Sequence, residues 1–230
     1  MKAVSIVIKD NAVSEFGYSK LVESSQSVGN DFDIVKWDAV IPTNVNEFMM
    51  GIGIRWNYPW EGEVVDFATG LKKSAYKTAN PKARMACACS HYSLWQESST
   101  TNTTMLILEH DAYFTNKIDF DPKDIKADIL GINNPLGATR KSQLYYDMIM
   151  ESAASYQLAP WIDNVYVPQG LAGNSAYIIK PSGAKHLIEI VKQYGLWPND
   201  AIMCRQLVPR LGVTRKFYTN IQGLKSTTSL

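Results

Sequence analysis

Cysteine is scarce in this sequence and long apolar runs are missing, and both facts narrow what the chain can be. Three cysteines in 230 residues, with Cys87 and Cys89 close together and Cys204 apart, form no disulfide framework and point to a reducing compartment. No stretch reaches the ~18–20 apolar residues that cross a bilayer. Met1 to Ile8 is too short and too soon charged for a signal peptide and reads instead as a first buried strand. The expected location is therefore cytoplasmic. Glycine signatures for phosphate are absent as well. Gly51-Ile52-Gly53 has neither a third glycine nor a helix start behind it, and no P-loop occurs. The paired cysteines of the zinc deaminases are also missing. A phosphorylated ligand would have to be held by a metal and basic side chains.

No charge of one sign dominates. The net charge of +1 excludes a strong global attraction to polyanions, but the distribution is uneven. Between Asp66 and Glu97 the charged residues are all basic: Lys72, Lys73, Lys77, Lys82 and Arg84. After Asp200 come Arg205, Arg210, Arg215, Lys216 and Lys225, and no acid. Acids gather from Glu109 to Asp128. Solvated helix faces explain most single charges. Two basic tracts around an acidic centre also suit a metal on carboxylates beside a phosphorylated ligand.

What is present fits one globular unit over residues 1–230, with 46% apolar residues and no repeat or linker. Val4 to Ile8 is a buried strand, Ser14 to Val28 a helix stopped at Gly29, and Phe32 to Val40 a second strand. Residues 47–62, with two glycines, Trp56, Tyr58, Pro59 and Trp60, read as a flap loop. Asn80-Pro81 opens a helix whose apolar face is Met85, Ala88, Tyr92 and Trp95, ended by the polar tract Ser98 to Thr104. Met105 to Leu108 is a buried strand, Ala127 to Ile132 and Asn174 to Ile179 are others, and Pro181 opens a helix that stops at Gly195. Residues 210–230 read as a basic C-terminal tail. Alternating strands and helices predict an α/β fold with a mostly parallel sheet covered on both faces, and a ligand site beyond the carboxyl ends of the strands.

Glu109-His110-Asp111 ends an apolar strand in that position. Two carboxylates one residue apart can share Mn²⁺ or Mg²⁺, although a solvated turn has the same composition. Cys87, Cys89 and His91 suggest zinc at first sight. On a helix Cys87 and His91 share a face while Cys89 points away, so the three do not converge on one ion, and packing by small thiols is expected. Trp56, Tyr58 and Trp60 offer stacking for a sugar or a base. Asp200 begins an apolar segment, where it serves either as a helix-terminal charge or as a general base.

Three segments together resemble glycosyltransferase family 25, the lipooligosaccharide and collagen galactosyltransferase group. Cys87-Ala88-Cys89-Ser90-His91-Tyr92-Ser93-Leu94-Trp95 is similar to its Cys-x-x-Ser-His-x-x-Leu-Trp helix. Leu106 to Ala112 is similar to its Leu-Ile-Leu-Glu-Asp-Asp-Ala metal motif, and Gly173 to Ile179 to its Gly-x-x-x-Tyr-Ile-Ile strand. Weaker echoes are Asp38-Ala39-Val40 and Pro198-Asn199-Asp200. The resemblance implies a GT-A-like fold, a UDP-sugar donor, a Mn²⁺-type cation and inversion at the anomeric carbon. It implies Glu109 and Asp111 as metal residues, with His110 a further ligand in place of the family's middle acid, and Asp200 as the base. Asp38, Arg84, Ser90, His91, Glu109 and Asn174 become donor-side positions, with Trp56, Tyr58 and Trp60 on the acceptor side. Arg84 stands where the family has an acid. The family's usual acceptor is a saccharide such as lipooligosaccharide. The basic tracts and aromatic segment also suit a hydroxymethylated pyrimidine in phage-type DNA. His110 further admits a non-catalytic nucleotide-sugar or glycan-binding domain.

Overall fold

The computed structural model describes residues 1–224. Lys225, the last of the basic residues named above, lies outside them. In chain order the elements are β1 (Lys2–Val7), α1 (Ala12–Ser27), β2 (Ile34–Asp38), α2 (Val45–Gly51), β3 (Glu63–Asp66), β4 (Leu71–Ser74) and α3 (Pro81–Thr101). They continue as β5 (Met105–Glu109), β6 (Ala112–Phe114), β7 (Ile129–Gly131), α4 (Ser142–Glu151), β8 (Tyr156–Leu158) and β9 (Ala176–Ile179). The last are α5 (Pro181–Tyr194), α6 (Asn199–Ile202), β10 (Leu211–Thr214) and β11 (Thr219–Ile221).

Seven strands form the central sheet in the order β2-β1-β5-β9-β7-β10-β8. β2, β1, β5, β7 and β10 run one way, while β9 and β8 run the other. The sheet is thus mostly parallel, as the alternation of elements predicts. Side chains alternate across it. Met105 and Ile107 join the core under α3 and α5, while Leu106 and Leu108 join Leu21 of α1 on the opposite face. Helices cover both faces.

Local chemistry sets the helix ends. Asn11 accepts from the Ser14 N–H at 2.9 Å and starts α1, and Asn80 accepts from the Ala83 N–H at 3.1 Å ahead of Pro81. The polar tract from Ser98 to Thr104 ends α3 as expected, at left-handed Asn102. Ser98 is buried and its hydroxyl donates to the Thr103 carbonyl at 2.8 Å, so the tract folds back onto the helix.

Two expectations need correction. Residues 47–62 are not a flap throughout, because α2 takes the first part and packs Val45 and Met49 into the core. The rest is tied to α5's end by hydrogen bonds between Arg55, Asn57 and Leu196. Residues 210–230 do not begin as a tail, because β10 is buried inside the sheet between β7 and β8. Leu211-Gly212-Val213-Thr214 is apolar enough to supply a central strand, a signal that the flanking arginines obscured. The hairpin of β3 and β4 was also unforeseen. Its inward residue Lys73 is buried and bonds Asp66 at 2.6 Å and the Asn57 carbonyl at 2.7 Å, over the Trp197 ring.

Candidate active site

The reversal of β9 builds the site. Parallel β1 and β5 end where Ile6 pairs with Glu109, and β9, running back, begins there. The Glu109 N–H donates to the Ser175 carbonyl at 2.7 Å, which sets Asn174 and Ser175 beside the acidic strand end. Gly173 is needed for that approach. Its φ is +78°, and a side chain there would lie 2.7 Å from the Asn133 amide.

Glu109 is held from behind by a buried chain of hydrogen bonds. Trp95 Nε1–H donates to the Tyr177 hydroxyl at 2.9 Å, and that hydroxyl lies 2.9 Å from His91 Nδ1. The buried hydroxyl proton has His91 Nδ1 as its acceptor, which leaves His91 Nε2–H to donate to Glu109 Oε1 at 3.1 Å. His91 therefore positions Glu109 rather than meeting a donor with a free nitrogen. Tyr177→Phe would leave the Trp95 and His91 nitrogens unpaired in a dry core. The expected loss is about 1–3 kcal/mol on denaturant unfolding, and an unchanged midpoint would contradict the chain.

Ser90 plays a similar part. Its hydroxyl accepts from the Val40 N–H at 2.9 Å, and the Ser93 hydroxyl accepts from Trp37 Nε1–H at 2.9 Å, so α3 fixes the segment after β2. Asp38, the last residue of β2, is exposed and lines none of the cavities at this edge.

Glu109 and Asp111 supply oxygen donors suited to a hard divalent cation. Asp111 Oδ1 is buried with no hydrogen-bond partner, as expected of an atom kept for a ligand. Burial and then the charge of Glu109 push the Asp111 carboxyl up to about 7. The residues present therefore fit a cation. Burial lowers His110, with Glu109 acting in the other direction, so its imidazole is neutral near pH 7. Among the described residues, the one group of three ligand-type side chains within mutual reach is Cys87, His91 and Glu109, not the triplet 109–111. Cys89 is not among them, as expected from its place on the other face of the helix. Both His91 nitrogens are already engaged, and burial raises the Cys87 thiol well above its usual value, which opposes a thiolate ligand.

Three adjoining cavities run along this edge. The first, about 110 Å³, is lined by Ile6, Val40 and Pro42 and reaches Cys87, Glu109 and Asp111. The second, about 290 Å³, shares those three and extends past Arg84, Asn133 and Asn174 to Asp200. The third, about 300 Å³, starts at Asp200 and passes between Tyr58, Tyr76 and Tyr145. The middle cavity is rich in orphaned groups: Arg84 Nε, Asp111 Oδ1, Ser175 Oγ, Asp200 Oδ1 and both amide atoms of Asn174. Enclosure raises the Asp200 carboxyl above the usual range, an effect that the Arg84 guanidinium partly offsets.

The model of glycosyltransferase family 25 (LPS biosynthesis protein) matches residues 61–203. The chain belongs to that family. Sugar transfer is the activity this family 25 membership supports, and the matched residues include Arg84, Glu109, Asp111, Asn174 and Asp200. No curated protein matches the chain. Among solved structures, the family 25 chain is similar to galactosyltransferase LgtC in complex with donor and acceptor sugar analogs, at 12% identity over 93% of this chain and 73% of that one, with a TM-score of 0.46. It is also similar to a glycosyltransferase involved in glycosylation of the major capsid of PBCV-1, at 10% identity over 83% of this chain and 68% of that one, with a TM-score of 0.34. A third is mouse xyloside xylosyltransferase 1, at 10% identity over 91% and 83%, with a TM-score of 0.38.

The structure brings Arg84, Ser90, His91, Glu109, His110, Asp111, Asn174, Asp200 and Tyr58 of this family 25 chain to the cavities. It does not bring Trp56 and Trp60. Those rings stack on each other at 5.0 Å, and Trp56 Nε1–H donates to the Tyr58 carbonyl. The sequence reading missed Tyr76 and Asn133, which come from segments with no motif, and gave no role to Asn199 although it lies in the Pro198-Asn199-Asp200 echo. Among the described residues no helix is long and apolar enough to cross a membrane.

Proposed function

We propose that the chain moves a sugar from a UDP-sugar to a saccharide hydroxyl with inversion at the anomeric carbon. One observation carries this reading: the cavities join end to end, with Glu109 and Asp111 at one junction and Asp200 at the other. The small apolar-walled cavity takes the nucleoside. Glu109 and Asp111, with His110 adjacent, would hold Mn²⁺ or Mg²⁺, and such an ion would supply Lewis-acid neutralisation of the departing diphosphate. The unpartnered Arg84 Nε–H adds a second positive group on the same side, and Asn174 offers a donor and an acceptor to sugar hydroxyls.

Asp200 sits on the acceptor side and takes the proton of the attacking hydroxyl. The new bond joins the acceptor oxygen to the anomeric carbon as the carbon–phosphate oxygen bond breaks. Direct attack by the hydroxyl that Asp200 deprotonates is a single displacement, which inverts the centre. Three free thiols fit the cytoplasm.

Four of the basic residues behind the DNA reading, all after Asp200, are engaged within the chain. Arg210 pairs with Asp128 and Lys216 with Asp119, each at 2.5 Å, and Arg205 and Arg215 bond main-chain carbonyls. Incubation with a panel of nucleotide sugars and oligosaccharides should give a product heavier by one sugar, with NMR showing the opposite anomeric configuration from the donor. Donor binding without any turnover would leave the non-catalytic reading instead.

A further inference from the structure

The cavity beyond Asp200 has a composition that narrows the acceptor. Its floor holds three tyrosine rings, Tyr58, Tyr76 and Tyr145, and its rim holds Lys72, Arg140 and Lys141. Tyr145 is 2% exposed, and its hydroxyl, which the Ala172 backbone approaches, has no partner at full hydrogen-bond geometry among the described residues. Asp200 Oδ1 is likewise unpartnered at the inner end. A buried phenol and a buried carboxylate oxygen facing one cavity call for a ligand with several hydroxyls.

The rim adds charge. Lys72 is paired with Glu63 and Lys141 with Asp163, whereas Arg140 is exposed and has no ion-pair partner among the described residues. An exposed planar guanidinium beside a second cation is the usual means of holding a phosphate or carboxylate through two parallel hydrogen bonds. The tyrosine floor suits the apolar face of a sugar ring. Extended duplex DNA is the poorer match, because Arg205, Arg210, Arg215 and Lys216 are engaged within the chain.

We propose that this cavity binds the acceptor as an anionic saccharide, with its reacting hydroxyl at Asp200 and its phosphate or carboxylate at Arg140 and Lys141. The inference rests on the reading of Asp200 as the base on the acceptor side.

The test titrates the full chain, with and without UDP and Mn²⁺, with glucose 6-phosphate, glucuronic acid, glucose and inorganic phosphate, followed by ligand-observed NMR. Both anionic sugars are expected to bind at least about tenfold tighter than glucose, because charge-assisted bonds are roughly twice as strong as neutral ones. Tighter glucose 6-phosphate binding distinguishes a phosphate-bearing acceptor, and tighter glucuronic acid binding a carboxylate-bearing one. The double variant Arg140→Gln/Lys141→Gln should remove most of that preference while UDP affinity stays the same. Both side chains are exposed, so the fold is expected to survive. Equal affinity for the three sugars, or a preference that survives the double variant, overturns the proposal. Inorganic phosphate binding as tightly as glucose 6-phosphate also overturns it, reducing the rim to an anion patch. A short DNA duplex that displaces glucose 6-phosphate and is lost in the double variant would overturn it in favour of nucleic acid. Anion preference without any UDP binding would support the cavity inference and count against the donor assignment.

Discussion

Asp200→Asn is expected to lower sugar transfer by about 10²–10⁴-fold, the usual contribution of a positioned general base, with donor affinity unchanged. The asparagine keeps the size and loses the proton acceptor. Stability should move the other way. Enclosure raises the Asp200 carboxyl, so the folded chain holds that proton to a higher pH than the unfolded chain does. Stability is then lost as pH rises above the ordinary carboxylate range, because the native state binds more protons there. The asparagine variant lacks this loss and should be at least as stable as the parent at pH 7.5. Steady-state transfer, donor titration and denaturant midpoints across pH 5–8 check all three statements. Near-normal transfer would move the base elsewhere. Asp163 is a poor replacement, because Lys141 holds its carboxyl below the usual range.

Lys73→Met is expected to cost about 3–5 kcal/mol, the range for removing one partner of a buried pair. Lys73 is 2% exposed and bonds Asp66 and the Asn57 carbonyl, and its ammonium lies 4.6 Å above the Trp197 ring. Methionine fills the space and leaves the Asp66 carboxylate without its cation. The double variant Lys73→Met/Asp66→Asn should recover much of the loss. Burial, the largest single influence, raises Asp66, but the bond and charge of Lys73 together with the Ala68 and Thr69 N–H groups outweigh it and hold the carboxyl below its usual value. The pair's contribution is thus present above the unfolded carboxylate range and fades as pH falls through the folded value. A single-variant loss under about 1 kcal/mol, the level of an exposed pair, would show that the hairpin does not clamp the Trp197–Asp200 segment.

The strands nearest the chemistry were legible because they are short apolar runs that end abruptly in polar residues. Met105 to Glu109 and Ala176 to Ile179 are of this kind, and Asn80-Pro81 marked the start of α3. The direction of β9 was not legible, since periodicity reports burial and not polarity. That reversal puts Asn174 next to Glu109. Lys73 read as part of a solvated basic tract because no pattern in one sequence pairs it with Asp66 across a turn. Trp56 and Trp60 suggested a ligand surface by their spacing, yet the same spacing lets two rings stack on each other. His91 was named as a donor-side residue, and its buried bonds to Tyr177 and Glu109 make it a support for the site.

The most direct measurement is the melting temperature of the chain with UDP-galactose or UDP-glucose, in Mn²⁺ and in chelator. Ligand at about 100 times its dissociation constant adds roughly 2.7 kcal/mol, which a melting curve resolves. The account predicts strong stabilisation in Mn²⁺, little in chelator, and loss of the difference in Asp111→Ala with its fold intact. Equal stabilisation with and without the metal would contradict the assignment of Glu109 and Asp111 as the groups that hold a cation under the donor's diphosphate.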